Sequence, residues 1–160
     1  MDERAFTVLY EAIGKSLWTY VARTCGHRDV ADDILQETFF RFMLSSQAHL
    51  TQEAARPYLF RIATNLLNDR WRRREQSYLP DQDVPASDNS NDNALDAVRM
   101  LGAMKPRERQ LLWLAYVEGM NHREIANVTG LNALSVRVLL LRARGRAAYL
   151  LSPESDHDGN

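Results

Sequence analysis

Residues 76–92, QSYLPDQDVPASDNSND, divide the chain. The stretch holds two prolines and three serines and has no apolar periodicity, so it reads as a linker. Seventeen such residues reach ~56 Å when fully extended, at ~3.3 Å each. As a flexible coil they average ~23 Å. A 160-residue chain cut this way is limited to two small units that need not pack on each other.

Both sides of the linker carry helical patterns, and neither carries strand alternation. Phe6, Leu9, Tyr10, Ile13, Leu17, Tyr20 and Val21 recur at helical spacing. That helix ends near Cys25-Gly26, where glycine can take a left-handed cap. Asp29 is placed to cap a second helix running to about Met43. Residues 45–55 read as a polar loop or short helix. A third helix opens at Pro57 and runs to about Glu75. Beyond the linker, Leu95, Val98, Met100, Leu101 and Met104 predict a helix that Lys105-Pro106 breaks. Residues 107–118 form the next, and Gly119 stops it. Asn121 caps residues 122–128, Thr129-Gly130 turn the chain, and Asn132 caps a final helix to about Leu151. The expected fold is all-α. Two small helical domains, residues 1–75 and 93–151, are joined by a flexible acidic linker, and residues 152–160 form a disordered tail.

Apolar content of 45% is ordinary for a globular chain. The longest strictly apolar run is seven residues, 111–117, far below the ~18 that span a bilayer. No secretory signal is visible at the N-terminus. One cysteine, Cys25, excludes an internal disulfide framework and fits a reducing compartment, so a cytoplasmic setting without membrane insertion is expected. Net charge is −1, but its distribution is uneven. Residues 1–75 are +1, 76–92 are −4, 93–151 are +5 and 152–160 are −3. The domains are neutral to basic and the connectors acidic, a pattern that informs about partners.

Residues 57–74, PYLFRIATNLLNDRWRRR, combine five arginines with three aromatics. Leu59, Ile62, Ala63 and Leu66 predict an apolar stripe, with Arg61, Asn65, Asn68 and Arg72 on another face. Arginine neutralises phosphate, and aromatic rings stack on unpaired bases. A solvated basic face with core aromatics remains the alternative for this helix alone.

Residues 120–146 have the plan of a helix-turn-helix. Ala126 is small where two helices approach, and Gly130 stands in the turn four residues later. Ile125, Leu131, Val136 and Leu139 form the expected buried side. The second helix of such a motif enters the major groove with its N-terminal part on the bases. Its candidates are Asn132, Ala133, Ser135 and Arg137, with Arg142, Arg144 and Arg146 either nearer the phosphates or merely solvated charges, and Arg123 at the backbone.

The segment ADDILQETFFRF, residues 31–42, differs. Ile34, Leu35, Phe39 and Phe42 point inward; Asp32, Asp33, Gln36, Glu37, Phe40 and Arg41 do not. Acids repel a duplex, so an outward Phe40 between Glu37 and Arg41 suits a protein interface. The competing account is that the acids simply favour the helix N-terminus.

In this order the three segments resemble the extracytoplasmic-function (ECF) group of bacterial sigma factors, over about residues 5–150. The resemblance implies that ADDILQETFFRF docks on core RNA polymerase, with Asp33, Gln36, Glu37 and Phe39 matching its pattern. It implies that RPYLFRIATNLLNDRWRRR melts and reads the promoter −10 element, with Arg56, Tyr58, Leu59, Arg61, Ile62, Ala63, Asn65, Leu66 and Asp69 fitting. The site set is then Asp32, Asp33, Gln36, Glu37 and Phe40 for polymerase. For −10 DNA it is Tyr58, Arg61, Asn65, Asn68, Trp71, Arg72, Arg73 and Arg74. For −35 DNA it is Arg123, Asn132, Ala133, Ser135, Arg137 and Arg142. The implied partners are core RNA polymerase, promoter DNA and an anti-sigma factor. The loop at residues 45–55 would hold a base flipped from the duplex. The linker would thread the polymerase cleft.

Two departures from the family pattern stand out. Thr64 occupies a position that is often basic. Val138, Leu139 and Leu141 are apolar where polar or basic groups are usual, and Leu134 replaces a common glycine. Val138 and Leu141 are expected to face outward. They read thymine methyls, or pack on another protein such as an anti-sigma factor, or mark weak −35 contacts. The second of these is the favoured expectation, and no loss of partner binding on Val138→Ser/Leu141→Ser would refute it.

No cofactor, metal or catalytic group is expected. The four histidines are scattered, Cys25-Gly26-His27 is too little for zinc, and no phosphate loop or nucleophile motif is present. A stand-alone helix-turn-helix regulator would need a dimer helix, and none is apparent. It would also leave residues 31–42 and the Trp71 helix without a role. Near-zero net charge predicts weak DNA binding by the free chain.

Overall fold

The computed structural model describes residues 2–76 and 92–152, with residues 74–76 and 92–95 described by backbone alone. Most of the linker and the tail lie outside the described residues. The described residues are all-α, with no strand. They fall into two compact units, the first holding α1–α3 and the second α4, α5, most of α6 and α7.

In the first unit, α1 spans Glu3–Cys25, α2 Arg28–Leu44 and α3 Gln52–Gln76. Asp2 caps α1 by accepting from the Ala5 amide at 2.7 Å, and Gly26 closes it at φ 81° with its N–H on the Ala22 carbonyl. Each helix packs on the other two. The shared core comprises Leu9, Ile13, Leu17, Tyr20, Phe39, Phe42, Leu59, Phe60 and Leu67. Inside it Tyr20 and Thr64 hydroxyls meet at 2.7 Å, and the Tyr20 and Phe60 rings lie 5.3 Å apart.

Several boundaries differ from those the sequence predicts. His27, not Asp29, is the N-cap of α2, and Asp29 sits in the first turn, where its charge still suits the helix dipole. The third helix begins five residues before Pro57. Thr51 caps it, its hydroxyl taking the Ala54 amide at 3.4 Å and its carbonyl the Ala55 amide at 2.8 Å. Pro57 is therefore inside α3 and forfeits one backbone bond rather than opening the helix. Only residues 45–51 remain as the loop. The buried face of α3 is also rotated. Leu59, Phe60, Ala63, Thr64 and Leu67 are buried, while Ile62 and Leu66 are half-exposed. Thr64 consequently faces the core, and its lack of charge removes no phosphate contact.

In the second unit, α4 spans Asp92–Ala103, α5 Pro106–Leu112, α6 His122–Thr129 and α7 Ala133–Leu151. Pro106 opens α5, as its position after Lys105 predicts. The helix predicted to run unbroken to Glu118 instead ends in a π turn, Trp113–Val117, where the Glu118 amide bonds the Trp113 carbonyl at 3.1 Å. Asn121 and Glu124 form a reciprocal capping box at 2.9 and 3.1 Å. Gly130, at φ 80°, makes the turn between α6 and α7, whose axes bend by 102°. Helix α7 packs on α5 and α4. Val136, Leu140 and Ala143 supply its buried side, with Leu139 at the edge rather than in the core.

Asn132 accepts the Ser135 amide at 2.8 Å and so caps α7. Asn132→Ala is expected to cost the second unit about 1 kcal/mol, whereas Asn132→Asp keeps the cap. Amide hydrogen exchange along α7 measures both.

Candidate functional site

Helix α2 presents Asp32, Asp33, Gln36 and Phe40 to solvent, with Glu37 half-buried beside them. Phe39, one residue from Phe40, turns inward. It packs edge-on to Phe6 at 5.8 Å and against Tyr10 at 5.1 Å. All three acids are held in place. The Trp18 indole N–H donates to Asp32 at 2.7 Å, Arg41 donates to Glu37 at 2.8 Å, and Arg70 of α3 lies 3.4 Å from Asp33. These pairs are exposed and contribute little stability, but they orient the carboxylates and leave Phe40 as the large apolar group of the patch. Trp18 and Arg70 are partners of this face that the sequence reading missed. Their roles arise from packing between helices and leave no mark in local periodicity.

On α3, Arg61, Asn65, Asp69 and Arg72 share an exposed face, spaced by four, four and three residues. Asp69 pairs with Arg72, so part of this basic surface is internally neutralised. Tyr58 is half-buried with its ring 6.0 Å from Phe42. Asn68 is half-buried and its Oδ1 has no hydrogen-bond partner among the described residues. Trp71 follows buried Leu67 by one turn and lies half-buried on the core side, apart from the Arg61–Arg72 face. Arg73 is exposed, and the Arg74 side chain is outside the described residues. An open cleft of about 930 Å³ lies beside the 45–51 loop, lined by Val8, Leu9, Met43, Ser46, His49 and Leu50 among others.

In the second unit Arg123, Asn132, Ala133, Arg137 and Arg142 are exposed and Ser135 is half-buried. Val138 and Leu141 do face outward. The side chain of Asn132 is committed through its oxygen to the helix cap, which leaves only its amide protons for a ligand. Beside α7 the π turn helps form a second cleft of about 540 Å³ with Tyr116, Met120, His122, Arg123, Leu140 and Arg144. Burial, then Arg28, pulls Arg23 below the usual arginine range, and a guanidinium stays charged under such a shift. Among the described residues no cluster of His, Cys, Asp or Glu could hold a metal ion. No single described helix is long and apolar enough to cross a membrane.

Comparison with known proteins matches these two units to two family models. Residues 9–77 match Sigma-70 region 2 and residues 94–146 match Sigma-70, region 4. The RNA polymerase sigma factor SigZ of Bacillus subtilis is 24% identical, over 95% of this chain and 92% of the relative. The ECF RNA polymerase sigma factor SigL of Mycobacterium tuberculosis is 27% identical, over 77% of this chain and 75% of its own length. Among solved structures, the sigma factor RpoE of Bartonella quintana, in complex with the anti-sigma factor NepR, superposes with a TM-score of 0.75 at 21% identity, covering 91% of this chain and 96% of that one. The two matched regions belong to one family and fall on the helices just described. The chain belongs to the sigma-70 family, in its extracytoplasmic-function group, and is a sigma factor that directs RNA polymerase to promoters and initiates transcription.

Proposed function

We propose that the two units divide this work. Residues 1–75 dock the polymerase and open the −10 element, and residues 93–151 anchor the −35 element. Docking falls to Asp32, Asp33, Gln36, Glu37 and Phe40. The observation that carries the assignment is Phe40, an exposed aromatic set between oriented acids on one face of α2. A surface of that composition suits a protein partner and repels a duplex. Arg61, Asn65 and Arg72 track the −10 strand, with Tyr58, Asn68, Trp71, Arg73 and Arg74 around them. The cleft beside residues 45–51 receives an unstacked base, and stacking and hydrogen bonds offset the cost of flipping it. Arg123, Asn132, Ala133, Ser135, Arg137 and Arg142 face the −35 duplex.

The chain itself does no chemistry: polymerase supplies catalysis, and this subunit supplies position. Its compartment is the cytoplasm, where polymerase and promoter are. An anti-sigma factor restrains it, a reading supported by the fold it shares with a sigma factor solved in such a complex.

Gel filtration of the chain with bacterial core RNA polymerase tests the docking face. The wild type is expected to co-elute, and Asp33→Ala/Glu37→Ala/Phe40→Ala, which removes the anchor with both acids, to elute free. Co-elution of that triple variant undiminished would move the docking site off α2.

A further inference from the structure

Helix α7 is apolar on two opposite sides. One side, Val136, Leu140 and Ala143, is core. The other runs Leu134, Val138, Leu141, Gly145, Tyr149, at steps of four, three, four and four residues that keep one helical face. It is open to solvent: Leu134 is 71%, Val138 41% and Leu141 66% exposed. Arginines border this strip on both edges, Arg137 and Arg144 on one and Arg142 and Arg146 on the other. All four are exposed, and α7 contains no acid.

We infer that Leu134, Val138 and Leu141 determine promoter specificity by reading thymine methyl groups in the −35 element. This rests on the assignment of α7 as the −35 reading helix. The charge pattern selects the occupant. An aliphatic strip between two arginine rows, on a helix ~10–12 Å across, matches a major groove ~12 Å wide with phosphates along both rims. Within that groove the 5-methyl of thymine is the one apolar group on the base edges. Few hydrogen-bonding readers compete. Asn132 is tied to the cap, Ala133 has no polar atom, and Ser135 is half-buried, which leaves Arg137 as the long polar reader of the first turns. Leu134 to Leu141 span ~10 Å along the axis, about three base-pair steps, and lie in the N-terminal half of α7 that enters the groove. The −35 element therefore carries two or three neighbouring thymines, distributed over the two strands.

The experiment uses holoenzyme reconstituted with bacterial core polymerase and promoters randomised across the −35 element. Thymines should be enriched at adjacent positions. The preferred promoter is then rebuilt with deoxyuracil at each of them, which removes only the methyl. Wild-type holoenzyme should lose about fourfold in promoter affinity per methyl, the worth of one buried methylene-sized group. Val138→Ser and Leu141→Ser holoenzymes should each lose the preference for thymine over deoxyuracil at one position and keep it at the others. Indifference of the wild type to deoxyuracil, with Arg137→Ala still weakening the promoter, would overturn methyl reading and spare the −35 assignment. Indifference to both the −35 sequence and Arg137→Ala would remove the assignment itself. Loss of a protein partner from Leu141→Ser with promoter affinity intact would give the strip to that protein and overturn the inference.

Discussion

Phe39→Ala is expected to lower the stability of the first unit by about 3–5 kcal/mol, read as a large drop in the urea midpoint with little change in slope. The ring is 2% exposed and is the point at which α2 meets the start of α1, through Phe6 and Tyr10. Truncation removes two aromatic contacts along with the buried ring, and the surrounding helices cannot close the gap without shifting. A small domain has a total stability of about 5–15 kcal/mol, so this loss is a large share of the whole. Polymerase binding should fall with it, because the proposed docking face exists only while α2 is held on α1 and α3. Phe39→Leu should recover much of the stability, and with it binding, since the defect is volume rather than recognition. A midpoint unmoved by Phe39→Ala would mean that α2 is not anchored through this cluster.

What could be read from the sequence follows from how local the physics is. The stops at Gly26 and Gly130 and the caps at Asn121 and Asn132 are decided within four residues, so their positions are visible in the chain. The outward and inward sides of α2 were legible for the same reason, because apolar and charged residues alternate cleanly there. In α3 they do not. Leu59, Phe60, Ile62, Ala63, Leu66 and Leu67 spread over nearly half the helix circumference, and the buried face is chosen by packing on α1 and α2. That choice put Phe60, Thr64 and Leu67 inside and left Ile62 and Leu66 at the edge. Thr51 was hidden in a polar stretch as a helix cap, so Pro57 drew the boundary too late. The π turn after Leu112 is likewise invisible to a period count. On the candidate docking face, exposure was legible and pairing was not. Asp33 carries the charge expected of it, but Arg70, distant in sequence, half answers that charge.

Phe40→Ala should weaken binding to core RNA polymerase by about thirtyfold while leaving stability within ~0.5 kcal/mol of the wild type. The two outcomes separate because Phe40 is 53% exposed in the free chain, so its ring holds no part of the core together. In a complex that ring can be fully desolvated, and a buried aromatic anchor ringed by polar groups is the usual seat of binding energy. Its neighbours are weaker candidates. Asp33 and Glu37 already face Arg70 and Arg41, so a partner must compete with an existing ion pair for each. Either acid removed alone should cost only a few-fold and mostly at low salt, since rim charges govern encounter more than residence. Titration of labelled chain with core polymerase at two ionic strengths distinguishes the contributions. A salt-independent loss for Phe40→Ala identifies an apolar anchor. If Phe40→Ala bound normally while the single acid variants failed in salt-dependent fashion, docking would be electrostatic, and the exposed ring of α2 would need another partner.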